Sequence, residues 1–389
     1  MRIQPRHRVF VFTVATVLAS AAVGNAQPRY SAKQTGDIVQ LRDTRTDTTV
    51  SVMTSISNAY EMVVKGQNLI RIAFPTVDDF RARPGLNGIP LLAPFANRLD
   101  EPAFYANGRK YNFDMELGNV RGTIPIHGYL SSAKDWKLVE AKADGNAAWV
   151  TNRLDFYRNP QWMKQFPFAH ALQMTYRLAD GALEVRTRID NLSVEPMPVA
   201  IGFHPYFQLT DSTREDWTLS VGAKTHWLLA QNKIPTGETE PIVKMFPDPH
   251  AVPLKDFDLD DVYGDLERDA QGRATVSVKG KTQQLDVIVG PNYRSIVLYS
   301  PNPANARGGG GAGRGAPPNS APPAPASAPS VPLTGTNANV PNRGFIAVEP
   351  MVGITDSMNL AQKGLYKELQ SIPPGGFWQE SFWIRPKGF

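Results

Sequence analysis

Along most of this chain apolar and polar residues alternate with a period of two, and almost nowhere do apolar residues recur at the 3.6-residue spacing of an amphipathic helix. The clearest stretch runs from Met174 to Ile189. Met174, Tyr176 and Leu178 alternate with polar residues, Asp180-Gly181 supplies a turn, and Leu183, Val185 and Ile189 resume the alternation against Glu184, Arg186 and Arg188. An Asp-Gly pair between two such runs predicts an antiparallel hairpin with one buried face and one wet face. A second hairpin is predicted over 275–289, bending at Lys279-Gly280-Lys281, with short strands at 295–300, 345–348 and 377–384. Many short strands punctuated by Gly, Pro and Asn predict an all-β, mainly antiparallel fold, a large β-sandwich rather than an α/β protein.

Two segments break the pattern. At the N-terminus Arg2, Arg6 and Arg8 precede the apolar run from Val9 to Ala19, and Gly24-Asn25-Ala26 supplies small residues for a cleavage site. This arrangement predicts a signal peptide over 1–26, export to a bacterial periplasm, and no stable membrane anchor after cleavage. An uncleaved anchor is the alternative, but the apolar run is shorter than the roughly 20 residues a spanning helix needs. From 302 to 342 the chain has no aromatic residue and no acid and is dominated by Gly, Pro, Ala, Ser and Asn. Such a segment cannot bury enough apolar surface to offset its ordering entropy, so a disordered insert between two core strands is expected. Fewer than fifty residues follow it, too few for a separate β domain, so 27–389 is read as one domain.

Charge and cysteine content narrow the function classes. The three arginines of the leader account for more than half of the formal net charge of +5, and no Lys/Arg cluster remains to suggest nucleic acid or anionic lipid. The absence of cysteine excludes disulfides, thiol catalysis and Cys-based zinc sites.

Four short motifs could carry chemistry, and each also has a purely structural reading. Asn97-Arg98-Leu99 ends an apolar run beginning at Pro90, where a buried Arg serves equally well as an ion-pair partner. Ile126-His127-Gly128 places an imidazole before a glycine that permits close backbone approach, and alone it means little. In Gly202-Phe203-His204-Pro205-Tyr206-Phe207 an apolar strand ends in a histidine with three aromatic neighbours, suited to the apolar face of a pyranose or simply to a core turn. Ala347-Val348-Glu349-Pro350 puts a carboxylate in an apolar strand, which is costly unless the group is paired or functional. Asp260-Asp261-Val262-Tyr263, in a loop-like stretch from Asp256 to Asp265, could bind a ligand, hold calcium or be a solvated turn.

In this order and at these separations the motifs resemble the aldose 1-epimerase family, also called the galactose mutarotase-like superfamily, over essentially the whole chain from Ile38 apart from the insert. The resemblance implies a β-sandwich enzyme that needs no cofactor or metal and acts on a small-molecule sugar, interconverting the α and β anomers of a free hexose. It further implies Glu349 as general base, His204 as general acid and His127 as a second active-site histidine. Arg98, with Asn97 beside it, and Asp260 are implied as sugar-binding groups, Asp261 remaining an alternative to Asp260. Two positions depart from the family pattern: Gln208 stands where Asn commonly follows the His-X-Tyr-Phe motif, and Tyr129 where a second glycine often follows His-Gly.

The chemistry asks for such a set. Opening the hemiacetal requires removing the C1 hydroxyl proton while delivering one to the ring oxygen, so one base and one acid on opposite sides suffice; after rotation about C1–C2 the roles reverse. Two other readings remain: an epimerase acting on a phosphorylated or oligomeric sugar, and a non-catalytic periplasmic sugar- or glycan-binding module.

Overall fold

A computed structural model describes residues 28–116, 118–302 and 344–389. The predicted signal peptide and nearly all of the 302–342 insert lie outside the described residues. The molecule is built from antiparallel sheets, as the alternation predicts. The 174–189 hairpin is longer than expected, His170–Ala179 paired with Ala182–Asn191. Its two-residue turn has Asp180 and Gly181 both at positive φ, the geometry that matches the twist of the flanking strands. Glu184, expected on the wet face, is buried beneath Arg186 and the Ser381 hydroxyl, both of which donate to it. The second hairpin is Ala274–Lys279 with Gln284–Val289, and the strands Ser295–Ser300, Ile346–Met351 and Phe377–Lys387 fall where the pattern put them.

Three sheets matter for the site. A nine-stranded sheet has both long hairpins and the C-terminal strand at its centre. A five-stranded N-terminal sheet packs on one part of it, with the Tyr176 hydroxyl donating to the Ser57 carbonyl at 2.6 Å. An eight-stranded sheet packs elsewhere, where the Phe203 and Phe382 rings meet at 4.9 Å. In this last sheet neighbouring strands put paired residues on a common face. One face, carrying Leu298 and Val348, belongs to the main core; the other, carrying Val297 and Met351, is covered by a smaller cluster with Leu92, Ile354, Leu360 and Tyr366.

The acidic stretch read as a loop is a strand. Leu259–Leu266 pairs on one side with Ser295–Ser300 and on the other with Ala223–Leu229. Two neighbours satisfy its backbone, which overrides the poor strand propensity of its acids. Successive side chains on a strand point to opposite faces, so Asp260 and Asp261 are not placed as adjacent ligands of a calcium loop.

Candidate functional site

The eight-stranded sheet supplies most of the site through one row of its ladder. Asp260 is paired with Tyr299, Tyr299 with Ala347, and Ala347 with Tyr206, so the four share a face. Glu349, two residues beyond Ala347, shares that face too. Pro205 follows His204 at the break between the short strands Gly202–Phe203 and Tyr206–Phe207, and the turn brings the imidazole over the same surface. His204 Nε2 lies 3.1 Å from Glu349 Oε1, with Glu349 only 1 % exposed. Base and acid candidates were expected on opposite sides of a sugar; they are in contact. Both oxygens that must exchange protons in the reaction are bonded to the same carbon, C1, so adjacent partners are compatible with the chemistry.

Two irregular segments bring the remaining groups. Asn97 and His127 both have positive φ, as does Gly128, and the His127 amide donates to the Asn97 carbonyl at 2.8 Å. A side chain at Gly128 would run into the Ala93 carbonyl, to which the Tyr129 amide donates, so only glycine allows this approach. The Asn97 carboxamide oxygen accepts from both the backbone amide and the guanidinium of Arg98, fixing the arginine. Arg98 then faces Asp260 at 3.6 Å, and the His127 ring meets that of His204 edge-on, 5.2 Å between centres. All six residues singled out from the sequence therefore come together.

Several details were not foreseen. Only one of the three aromatics around His204 borders it: Tyr206 stacks on the imidazole at 4.7 Å, while Phe203 and Phe207 are core residues. Tyr299 and Phe345 complete an aromatic wall with Tyr206, and neither belonged to a motif. Asp261 faces away, accepting from His226, whose other ring nitrogen lies 3.2 Å from Glu240. Gln208 donates to the Asn68 carbonyl behind the wall, and the Tyr129 hydroxyl donates to the Trp162 carbonyl.

Burial dominates the electrostatics. It pushes the Glu349 carboxyl well above its usual range, Asp260 adding to the push and Arg98 opposing it. It pushes His204 down to about 3, against a backbone hydrogen bond that raises it and with Arg98 adding to the lowering. His127 is held well below its ordinary value by burial, with His204, Arg98 and Arg121 contributing. A low-dielectric site thus favours one shared proton on the Glu349–His204 pair, with no net charge. His127 Nδ1, His204 Nδ1 and Glu349 Oε2 are buried without a hydrogen-bond partner among the described residues, which native interiors avoid unless a ligand or function requires it.

Comparison with known proteins places the fold and the family. A galactose mutarotase-like protein of Clostridium acetobutylicum superposes with a TM-score of 0.71 over 92% of this chain and 98% of its own, at 17% identity. A structure described as galactose 1-epimerase from Lactobacillus acidophilus gives 0.66 over 92% and 98%, at 15% identity. Among curated sequences, the uncharacterized protein YphB of Escherichia coli is 25% identical over 137 residues, 35% of this chain, and the match spans only 41% of YphB. The sequence model described as aldose 1-epimerase matches residues 37–333, a span that holds every residue of the constellation except Glu349. With that match covering most of its length and the same β architecture in its structural relatives, the chain belongs to the aldose 1-epimerase family.

Proposed function

We propose that this protein is an aldose 1-epimerase that interconverts the α and β anomers of a free hexose. The observation that carries the reading is the buried contact between Glu349 and His204, flanked by His127 and by the Arg98–Asp260 pair. In the charged tautomer Glu349 takes the C1 hydroxyl proton while His204 gives its proton to the ring oxygen; the bond from C1 to the ring oxygen breaks and the C1 carbonyl forms. The pair ends as neutral acid and neutral imidazole, the tautomer that burial favours, with its proton count unchanged. Rotation about C1–C2 and closure on the other carbonyl face run the same transfers backwards. Arg98 and Asp260 are suited to hold sugar hydroxyls, and the Tyr206 and Tyr299 rings offer apolar faces to the pyranose. Fold similarity to a structure described as galactose 1-epimerase agrees with this reading.

Polarimetry of freshly dissolved α-glucose and α-galactose tests it. Wild-type protein should accelerate rotation change above the spontaneous rate, and Glu349→Gln or His204→Asn should each lower kcat by about 10² to 10⁴ while altering sugar affinity far less. Sugar binding without acceleration would make the protein a binding module. We also place the activity in the periplasm, on the strength of the N-terminal sequence; an intact Met1 on the protein recovered from cells would refute that placement.

A further inference from the structure

Three cations lie around the site without an ion-pair partner among the described residues. Arg71 is half-buried; its backbone amide donates to the Tyr206 carbonyl at 2.8 Å, and its guanidinium lies 4.8 Å from the centre of the Phe345 ring, within electrostatic reach of Tyr206 and Tyr299. Lys233 donates to the Asp260 carbonyl at 3.3 Å and is within reach of Asp261. Arg121, exposed on the short strand Val120–Arg121, acts electrostatically on His127. The nearest carboxylates are already engaged: Asp260 faces Arg98, Asp261 is held by His226, and Glu349 contacts His204. Residues 1–27, 117 and 303–343 contain no Asp or Glu, so no undescribed part of the chain holds a carboxylate for them.

Arg71 is the most telling of the three. Burial without a counter-ion costs the charged guanidinium its hydration, and a neutral sugar returns only part of it. A planar guanidinium on an aromatic face is the geometry that receives a carboxylate or phosphate through paired hydrogen bonds. Its place relative to the reacting carbon is also suitable. The Tyr206 ring contacts both the His204 ring, at 4.7 Å, and the Phe345 ring, at 5.3 Å, so one aromatic side chain joins the Phe345–Arg71 pair to the acid–base pair.

Resting on the epimerase reading, we infer that the site takes an aldose carrying an anionic group remote from C1, a uronate carboxylate or a phosphate ester, and that Arg71 receives that group. The bonds made and broken at C1 are those of the neutral sugar; the anion contributes binding and orientation. Lys233 and Arg121 add attraction at longer range.

The test compares anomerisation of glucose, glucuronate and glucose 6-phosphate by the full mature protein at low and high salt, in wild type, Arg71→Met and Arg71→Lys. At least one anionic sugar should show kcat/KM about 10- to 100-fold above glucose, and that advantage should shrink with added salt. Preference for glucuronate alone assigns a carboxylate, for glucose 6-phosphate alone a phosphate, and for both a site that reads charge. Arg71→Met should cut the anionic-to-neutral ratio about tenfold or more, with Arg71→Lys recovering part of it. Because a ratio of kcat/KM values is independent of the folded fraction, partial misfolding does not obscure this result. Glucose used as well as both anions, or a ratio unchanged in Arg71→Met, overturns the inference and leaves the epimerase reading standing. Acceleration of none of the three overturns both.

Discussion

Asp260 and Asp261 differ by one position and by everything around them. Asp260 sits on the same sheet face as Glu349 and meets Arg98, whereas Asp261 turns to His226, whose other ring nitrogen meets Glu240, and also accepts from the Asp260 amide. The sequence alone left both open as the sugar ligand, because the choice depends on the pairing of Asp260 with Tyr299, which lies 39 positions away and shows no local signal. The same blindness hid Arg71, Tyr299 and Phe345, whose neighbours give no hint that they meet. For His226, burial pulls the imidazole down, but hydrogen bonds to Asp261 and Glu240 more than offset it, leaving the value raised. A raised histidine contributes stability that is complete below the unfolded value of about 6.5 and is lost as pH rises through the folded value. Asp261→Asn should therefore destabilise the protein more at pH 6 than at pH 9, and should bring the His226 titration, followed by NMR, back toward its ordinary position. Equal cost at both pH values would mean that the contact carries no charge.

At the scale of elements, the strands that showed strict alternation were legible, and the one that carries Asp260 was not. A run of Leu-Asp-Asp-Val-Tyr-Gly-Asp reads as a turn, and only its two paired neighbours make it a strand. The short helix Ser357–Gln362 likewise left no periodic trace over so few residues. Its entry residue, Asp356, has a left-handed backbone and accepts from the Asp100 amide at 3.2 Å, while Asn359 and Lys363 bind the Asp100 carboxylate. This junction latches the chain that follows Glu349 to the segment that carries Arg98. Burial, with Asp100 adding to it, pushes the Asp356 carboxyl up to about 8. The folded state then keeps a proton that the unfolded chain gives up above about 4, so stability falls as pH rises from 4 to 8. Asparagine keeps the accepting oxygen and cannot ionise. Relative to wild type, Asp356→Asn should gain stability in urea melts between pH 6 and pH 9 and be the more stable protein at pH 9. A difference that does not change with pH would show that Asp356 is ionised throughout.

For the whole molecule, the strand Ile346–Met351, which carries Glu349, follows the 302–342 segment in sequence, yet its place in the sheet is fixed from both sides by other contacts. Ser295–Ser300 pairs with it from Met351 down to Ala347, and the Ser300 hydroxyl donates to the Phe345 carbonyl at 2.7 Å. The chain ends entering and leaving the segment are thus already neighbours, a spacing that a tight turn can span. The Arg214 side chain, buried between Ser300 and the carbonyls of Leu254, Phe257 and Ser300, further pins this end of the sheet. Replacing 304–340 by a short Gly/Ser turn should leave anomerisation nearly unchanged. Loop closure costs about 0.6 kcal/mol for each doubling of length, so shortening by roughly three doublings favours folding by about 2 kcal/mol and should hold or raise Tm by a few degrees. Thermal melts and polarimetry on the shortened protein decide between two roles. A lower Tm would show that the segment packs on the body of the fold. An unchanged Tm with altered turnover would tie it to the proposed sugar site, whose wall includes Phe345, three residues beyond its end.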